Sequence, residues 1–237
     1  MTDKADQFLE LKEELEQHPF SEVSQHRTDI NNARWILRRN FDLLKKFTED
    51  TAEDKYSVMT GHLSEKIRVQ EELYRLTHNY LASYYTLYEL TVTFRDSKFN
   101  EESEDRYYEL MDKHNIRPIS DFLVKLRNYI QHQGVIEQTR HYEWNREDNE
   151  ELTQVVLFTK DLLEADAWNR NAEDFIRNQE ESIRLVDVIE SHHSDIENFH
   201  NDLSRVVMDK YEDEFEDYTQ KQNKMNQIIE ENLQDFD

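Results

Sequence analysis

Residues 127–132 of the chain, RNYIQH, combine side chains that can transfer protons and stabilise negative charge. The imidazole of His132 titrates near neutral pH and can act as an acid or a base, whereas the guanidinium of Arg127 keeps its positive charge. On a helix, Asn128 and His132 lie one turn apart on the same face, and the long Arg127 side chain can reach that face from its flank. The spacing therefore predicts one polar patch that holds a proton-transfer group, a fixed cation and an amide able to orient them.

A predicted helix over residues 118–132 must position this patch. Pro118 is well placed in a first helical turn, and Gly134 suits the position just past a helix end. The apolar side chains of the helix cluster within about 120° of its circumference and form the predicted buried face. They are Ile119, Phe122, Leu123, Leu126, Tyr129 and Ile130. Asn128 and His132 are then expected on the opposite, polar face.

The composition favours long helices throughout the chain. Its 237 residues include only two Gly and two Pro, whereas sheet-rich folds need many turns and usually carry more of both. Apolar residues at helical spacing predict four helices before the one that carries the patch. Their ranges are 3–17, Ser21 or Ser24 to about Phe47, 62–97, and Ser103 to about His114. The polar stretch Thr48–Tyr56 is predicted to be a loop.

Two of the predicted long helices have apolar seams with a near-heptad repeat, which is typical of antiparallel bundles. The seam of the helix over 62–97 is Val69, Leu73, Leu76, Tyr80, Tyr84, Leu87, Thr91 and Phe94. The seam of the C-terminal helix is Leu185, Ile189, His192, Ile196, Phe199, Leu203 and Val206. Residues 172–236 contain no Gly or Pro, so they are expected to form one very long helix or two helices with a kink.

A small β-hairpin is predicted between these helical parts, over residues 135–160. Residues 135–144 and 152–160 are rich in β-branched and aromatic side chains, and the polar residues 145–150 between them suit a turn. The chain is therefore predicted to be a single, mainly α domain over 1–237. Its architecture is expected to be an up-and-down helical bundle with a hairpin inserted after the helix that carries the patch.

Composition also excludes several classes of protein. The absence of cysteine excludes disulfides, thiolate zinc sites and cysteine nucleophiles, and the start of the chain lacks the features of a signal peptide. No apolar stretch approaches the length of a membrane span, so a cytoplasmic location is expected. The net charge of −24 is typical of high solubility or of adaptation to a salty cytoplasm, and the sequence leaves both open. Residues 117–146 nevertheless carry five basic and three acidic side chains, a local charge of +2.

The motif and its setting resemble the HEPN superfamily. Its signature is Arg, then a polar residue that is often Asn, then His a few positions later, on a helix late in a helical bundle; here it reads Arg127-Asn128, three residues, His132. The wider stretch KLRNYIQHQG, followed by VVLFTKDLLEADAW and a long final helix, is similar to a family of uncharacterised prokaryotic proteins. Gly134 stands where one HEPN branch has a Tyr that a nucleotidyltransferase antitoxin modifies.

What this resemblance implies is a metal-independent endoribonuclease without a cofactor. It would act as a homodimer that brings two Arg/His sets to one cleft. Its role would be that of a toxin or an antiviral defence effector, and its partner an antitoxin or another protein of the defence system. His132 would be the acid/base, Arg127 the stabiliser of the phosphate and transition state, and Asn128 the group that orients them. Lys125, Arg140 and His141, in the locally basic stretch, are the expected RNA-binding residues.

Two alternatives remain open at this stage. One is a non-enzymatic helical dimerisation or adaptor protein that retains a HEPN-like fold and whose seams pair with another chain. The other concerns Glu190-x-x-His193 and Glu197-x-x-His200, which repeat a spacing used in di-iron bundles. Because both copies lie on one helix beside its seam, a solvated face is preferred to a metal site. His192 lies in the seam and is expected to be a packed or pH-sensitive core residue.

Overall fold

The computed structural model of the protein describes residues 2–53, 63–133, 139–144, 151–165 and 167–234. Within these ranges the chain forms nine α-helices and three β-strands. In chain order they are α1 (Thr2–Glu16), α2 (Pro19–Glu53), α3 (Leu63–Lys98), α4 (Glu101–Lys113), α5 (Ile116–Gln133), β1 (Thr139–Trp144), β2 (Glu151–Phe158), α6 (Thr159–Glu164), α7 (Arg170–Arg177), β3 (Ser182–Arg184), α8 (Leu185–Lys210) and α9 (Glu212–Gln234). The prediction of a mainly α fold with a small β-hairpin is confirmed.

Helix α2 begins earlier and ends later than its sequence predicts. The predicted start at Ser21 or Ser24 is wrong, because Pro19 has the fixed φ angle that suits a first helical position. The ring of His18 acts as the cap, since its Nδ1 accepts a hydrogen bond from the backbone N–H of Phe20 at 3.1 Å. The predicted loop Thr48–Tyr56 is wrong as far as Glu53, where the helix ends; residues 54–62 lie outside the described ranges. The polar side chains of residues 48–51 belong to an exposed or half-buried helix face, and composition alone does not distinguish such a face from a loop.

Helices α2 and α3 form an antiparallel pair at the centre of the fold. Lys98 at the end of α3 forms an ion pair with Glu22 near the start of α2, and Asn40 Nδ2 donates to the carbonyl of Asn79 at 3.3 Å. The predicted seam of α3 is confirmed from Leu73 to Phe94, where every predicted member is buried, and Val69 is half-buried. This seam forms one hydrophobic core with side chains of α2, α5, α8 and the sheet.

The sheet has one strand more than the sequence predicts. β1 and β2 pair antiparallel from Thr139 opposite Val156 to Trp144 opposite Glu151, which confirms the hairpin; its predicted turn, 145–150, lies outside the described residues. β3 pairs antiparallel with the other edge of β2. The helix predicted from residue 172 is therefore wrong over 178–184, because a segment without Gly or Pro can still be extended when it completes the edge of a buried strand.

The C-terminal region after β3 is two helices. Tyr211 separates α8 from α9, and its hydroxyl donates to the carbonyl of Lys98 at 3.0 Å, so the interruption is held against the end of α3. The predicted seam of α8 is buried from Leu185 to Leu203, and Val207 is buried in place of Val206. Helix α9 packs on α1, and the Nε2 of His18 lies 3.0 Å from a carboxylate oxygen of Asp217.

Within the described residues, no helix has both the length and the apolarity that a membrane span requires.

Helix α2 offers a test of where the core lies, because it carries a buried and an exposed leucine. The side chain of Leu37 is 0% exposed and that of Leu43 is 48% exposed. We expect Leu37→Ala to lower the free energy of unfolding by about 3 kcal/mol, because it leaves a cavity in the core. The control, Leu43→Ala, should lower it by about 0.5 kcal/mol. Urea titration measures both values, and equal losses would contradict the packing of α2.

Candidate functional site

Helix α5, which carries the predicted motif, is held between two other helices. The hydroxyl of Ser120 lies 3.1 Å from Nε2 of the buried His192 on α8. On another side, the carboxylate of Asp121 accepts hydrogen bonds from Asn171 Nδ2 at 2.7 Å and Asn169 Nδ2 at 3.3 Å, at the start of α7. These contacts, together with the buried side chains of α5, fix the rotation of the helix about its axis. They therefore fix the direction in which the motif residues project.

The guanidinium of Arg127 is held by two neighbours. Its Nη1 donates a hydrogen bond to Oδ1 of Asn128 at 2.9 Å. Its Cζ lies 4.2 Å from the centre of the Tyr85 ring on α3, a cation–π contact. The Nε of Arg127 is buried and has no hydrogen-bond partner among the residues that the structure describes. One edge of the cation is thus fixed by an amide and its face by an aromatic ring, while a donor remains unsatisfied.

This cation is not neutralised by the residues that the structure describes, among which Arg127 forms no ion pair. Other arginines of the chain do form ion pairs: Arg95 pairs with Asp96, and Arg117 pairs with Asp112. In a chain with a net charge of −24, a half-buried and uncompensated guanidinium is a place where a bound anion would be stabilised.

The structure gives the backbone positions of the other predicted site residues but not all of their side chains. The backbone of His132 lies in the last turn of α5, one turn after Asn128, and Arg140 and His141 belong to β1. The side chains of these three residues lie outside what the structure describes. Lys125 is half-buried on α5, three residues before Asn128 and therefore on the same side of the helix. The structure brings Arg127 and Asn128 together and leaves the prediction for His132 untested.

Tyr85 is the residue of this site that the sequence did not indicate. Tyr84 belongs to the predicted seam of α3 and is buried against His192, with ring centres 4.5 Å apart. Tyr85 follows it in sequence and is therefore rotated by about 100° around the helix, away from the seam. It is half-buried and meets Arg127. A tyrosine one position off a buried seam is the signal that could have identified it.

A second polar cluster lies between α8 and α2. The carboxylate of Glu197 accepts hydrogen bonds from Arg34 Nη2 at 2.8 Å and from Arg38 Nη2. His193 and His200, one turn before and one turn after Glu197, are both buried, and the ring of His193 stacks on Phe41 at 4.0 Å. The predicted solvated face of α8 is therefore wrong at these positions, because α2 covers it beside the seam. Within the described residues, no group of histidine and acidic side chains converges as a metal site would require.

Burial and charge set the ionisation of this cluster. Burial lowers the pKa of His192 and of His200 to about 3, so both rings are neutral in the folded protein at pH 7. Burial would raise the pKa of Glu197, but the hydrogen bonds and positive charges of Arg34 and Arg38 outweigh it and lower that pKa. Glu197 is therefore an ionised carboxylate shared by two guanidinium groups.

The buried imidazoles predict a loss of stability in mild acid. Their pKa is near 6.5 in the unfolded chain and about 3 in the folded protein, so below pH 6.5 the unfolded chain binds protons that the folded protein does not. Stability should be constant above about pH 7.5 and should fall by about 2 kcal/mol per ring from there to pH 5. Thermal unfolding at several pH values measures the slope.

The substitution His200→Gln should make that slope shallower, because it removes one of the buried rings whose pKa is lowered. The control is His78→Gln, which changes an exposed histidine on α3 and should leave the slope as it is. The protonation of buried histidines is not the cause if His200→Gln and the unmodified protein lose the same stability between pH 6.5 and pH 5.

Comparison with known proteins adds no relative to this description. The chain matches no protein-family model, no curated protein and no solved structure. The resemblance to the HEPN superfamily thus stays a prediction, based on residues 127–132 and on their helical setting.

Proposed function

We propose that the protein is a metal-independent endoribonuclease of the HEPN type, with a site made of Arg127, Asn128 and His132 from each of two copies. The observation that carries this proposal is the guanidinium of Arg127, which is held over Tyr85 and by Asn128 and has no carboxylate partner among the described residues. A fixed cation with a free donor is what the developing charge of a phosphorane requires. The helix that presents it places the backbone of His132 one turn after Asn128.

The proposed reaction uses the 2′-hydroxyl of RNA as the nucleophile. A base removes its proton, the 2′-oxygen attacks the adjacent phosphorus, and the 5′-oxygen leaves with a proton from an acid. Arg127 binds the phosphate oxygens through the donors that Asn128 does not occupy, and Asn128 keeps the guanidinium oriented. Base and acid must stand on opposite sides of an in-line displacement, so one imidazole cannot serve both. Two copies of His132 across a symmetric dimer interface supply the pair.

The charge distribution limits which RNA such a site would accept. The chain as a whole repels polyanions, whereas residues 117–146 carry a charge of +2. Lys125, Arg140 and His141 would contact the RNA backbone beside the motif. Because a small number of phosphate contacts gives only modest affinity, a structured RNA, or one delivered by a partner, is favoured over an unstructured RNA of any sequence. A toxin or antiviral effector that meets its RNA through a defence-system partner fits this limit.

The proposal predicts RNA cleavage that depends on both charged motif residues. We expect the purified protein to cleave RNA in the presence of EDTA. We expect His132→Ala to reduce the rate about 10²–10⁴-fold, and Arg127→Ala about 10²–10³-fold. His78→Ala and Arg39→Ala remove an exposed histidine and an exposed arginine elsewhere and should cleave at the normal rate. Equal cleavage by all five proteins, or none by any on a varied set of RNAs, would overturn the proposal.

The dimer makes a separate prediction about mixtures. When equal amounts of the unmodified protein and His132→Ala exchange subunits, only about a quarter of the dimers contain two intact histidines. Cleavage by the mixture should then fall to about a quarter of the rate of the unmodified protein, whereas simple dilution would leave half. A rate of one half after full exchange, or a monomer at working concentration in sedimentation, rejects the composite site.

One observation favours the alternative of a helical adaptor. The outer face of α2 exposes large apolar side chains, with Trp35 65% and Leu43 48% exposed, and with Ile36 beside them. The seams of α3 and α8, by contrast, are buried within the chain and are not available to a partner. An adaptor would thus lose its partner on Trp35→Ser or Leu43→Ser, while His132→Ala would leave binding unchanged.

A further inference from the structure

A small cavity between α2 and α8 is lined in part by polar side chains that can donate hydrogen bonds. Its volume is about 30 Å³, and its polar lining consists of Arg27, Asn31, Arg34, His200 and Ser204. Apolar side chains form the rest of the wall. Each of these polar groups can donate a hydrogen bond, and no carboxylate lines the cavity. A lining with two guanidinium groups and no carboxylate is suited to an anion.

Two of the donors lack a partner of their own. Arg27 is half-buried and forms no ion pair with any residue that the structure describes; its Cζ lies 5.9 Å from the centre of the Phe215 ring. Burial lowers the pKa of Arg27, which reflects the cost of holding its charge there. The Nε of Arg34 is buried and makes no hydrogen bond within the described part of the chain, although Nη2 of the same side chain binds Glu197 and Asn201.

The charges around the cavity do not balance. Arg27, Arg34 and Arg38 lie at i, i+7 and i+11 along α2, on the side that meets α8. Arg38 is exposed and does not line the cavity; of the two arginines that do, Arg34 binds Glu197, whereas Arg27 has no carboxylate partner among the described residues, which leaves one positive charge in excess. Such an excess in a partly buried position is costly unless a counterion is present.

We propose that this cavity binds one small monovalent anion of the size of a halide, between Arg27 and Arg34. A volume of about 30 Å³ has room for about one water-sized particle, which is too little for a phosphodiester or a nucleotide. The apolar part of the wall favours a singly charged ion over sulfate or phosphate, because desolvation costs more for a higher charge. The site is separate from the motif on α5 and does not depend on the proposed ribonuclease activity.

Thermal unfolding in chloride against gluconate tests this site at equal ionic strength, since gluconate is too large for the cavity. We expect chloride to raise the unfolding midpoint of the unmodified protein by roughly 2–4 °C at concentrations a few times the dissociation constant, and the rise should saturate. The variant Arg27→Gln should melt at the same temperature in both salts. The matched control, Arg39→Gln, removes an exposed arginine from the same helix and should keep the chloride effect.

Crystals grown with bromide give a second measurement that needs no variant. We expect an anomalous peak within hydrogen-bond distance of the Arg27 and Arg34 side chains. The proposal is wrong if the unmodified protein melts at the same temperature in both salts, if Arg27→Gln keeps the chloride effect, or if bromide gives no peak in this cavity.

Discussion

The burial of one face of α3 is the contact on which the rest of the structure depends. Its seam lies where α2, α5 and α8 meet, and Tyr80 and Tyr84 fill the centre, with Tyr84 packed edge-on against His192 and Tyr80 beside Phe41 and His193. Because a helix turns by about 100° per residue, burying Tyr84 forces Tyr85 onto the next face, where it meets Arg127. The core therefore positions the candidate site through the rotation of α3. The hydrogen bond between Ser120 and His192 gives α5 its matching rotation.

The protein holds its half-buried arginines in two ways, and each has a different chemical consequence. Arg34, together with the exposed Arg38, shares the single carboxylate of Glu197, which closes α2 onto α8. Arg127 is held instead by an aromatic face and a neutral amide, and among the described residues no carboxylate neutralises it. Arg27 resembles Arg127, since it faces the ring of Phe215 and has no carboxylate partner in the described part of the chain. Such cations in partly dry places would stabilise an anion there, whereas the acidic surface repels anions.

Helical periodicity predicted most of the fold, because long amphipathic helices are specified locally. The α3 seam, the α8 seam and the buried side of α5 could all be predicted from spacing. Where the sequence prediction was wrong, the cause lies in tertiary contacts. Helix α2 begins at His18 and Pro19 and not at a serine, and β3 forms because β2 has a second edge to pair. Helix α2 also covers His193 and His200 on α8. In the candidate site, Arg127 and Asn128 are neighbours in sequence, so the sequence was enough to predict that they lie together. Tyr85 required the relative rotation of two helices, which a single sequence does not contain. The HEPN relationship and the role of His132 stay predictions.

The ring of His18 joins parts of the chain that are far apart in sequence. It caps α2 through Nδ1 and meets Asp217 on α9 through Nε2, a separation of 199 residues, and further ion pairs link α1 with α9. Both ring nitrogens are engaged, so the neutral ring carries its proton on Nε2 and donates it to the carboxylate. During translation, α1 and α2 leave the ribosome long before α9 is made. This corner consequently can be completed only after α9 has been made, because α9 is the helix on which α1 mainly packs.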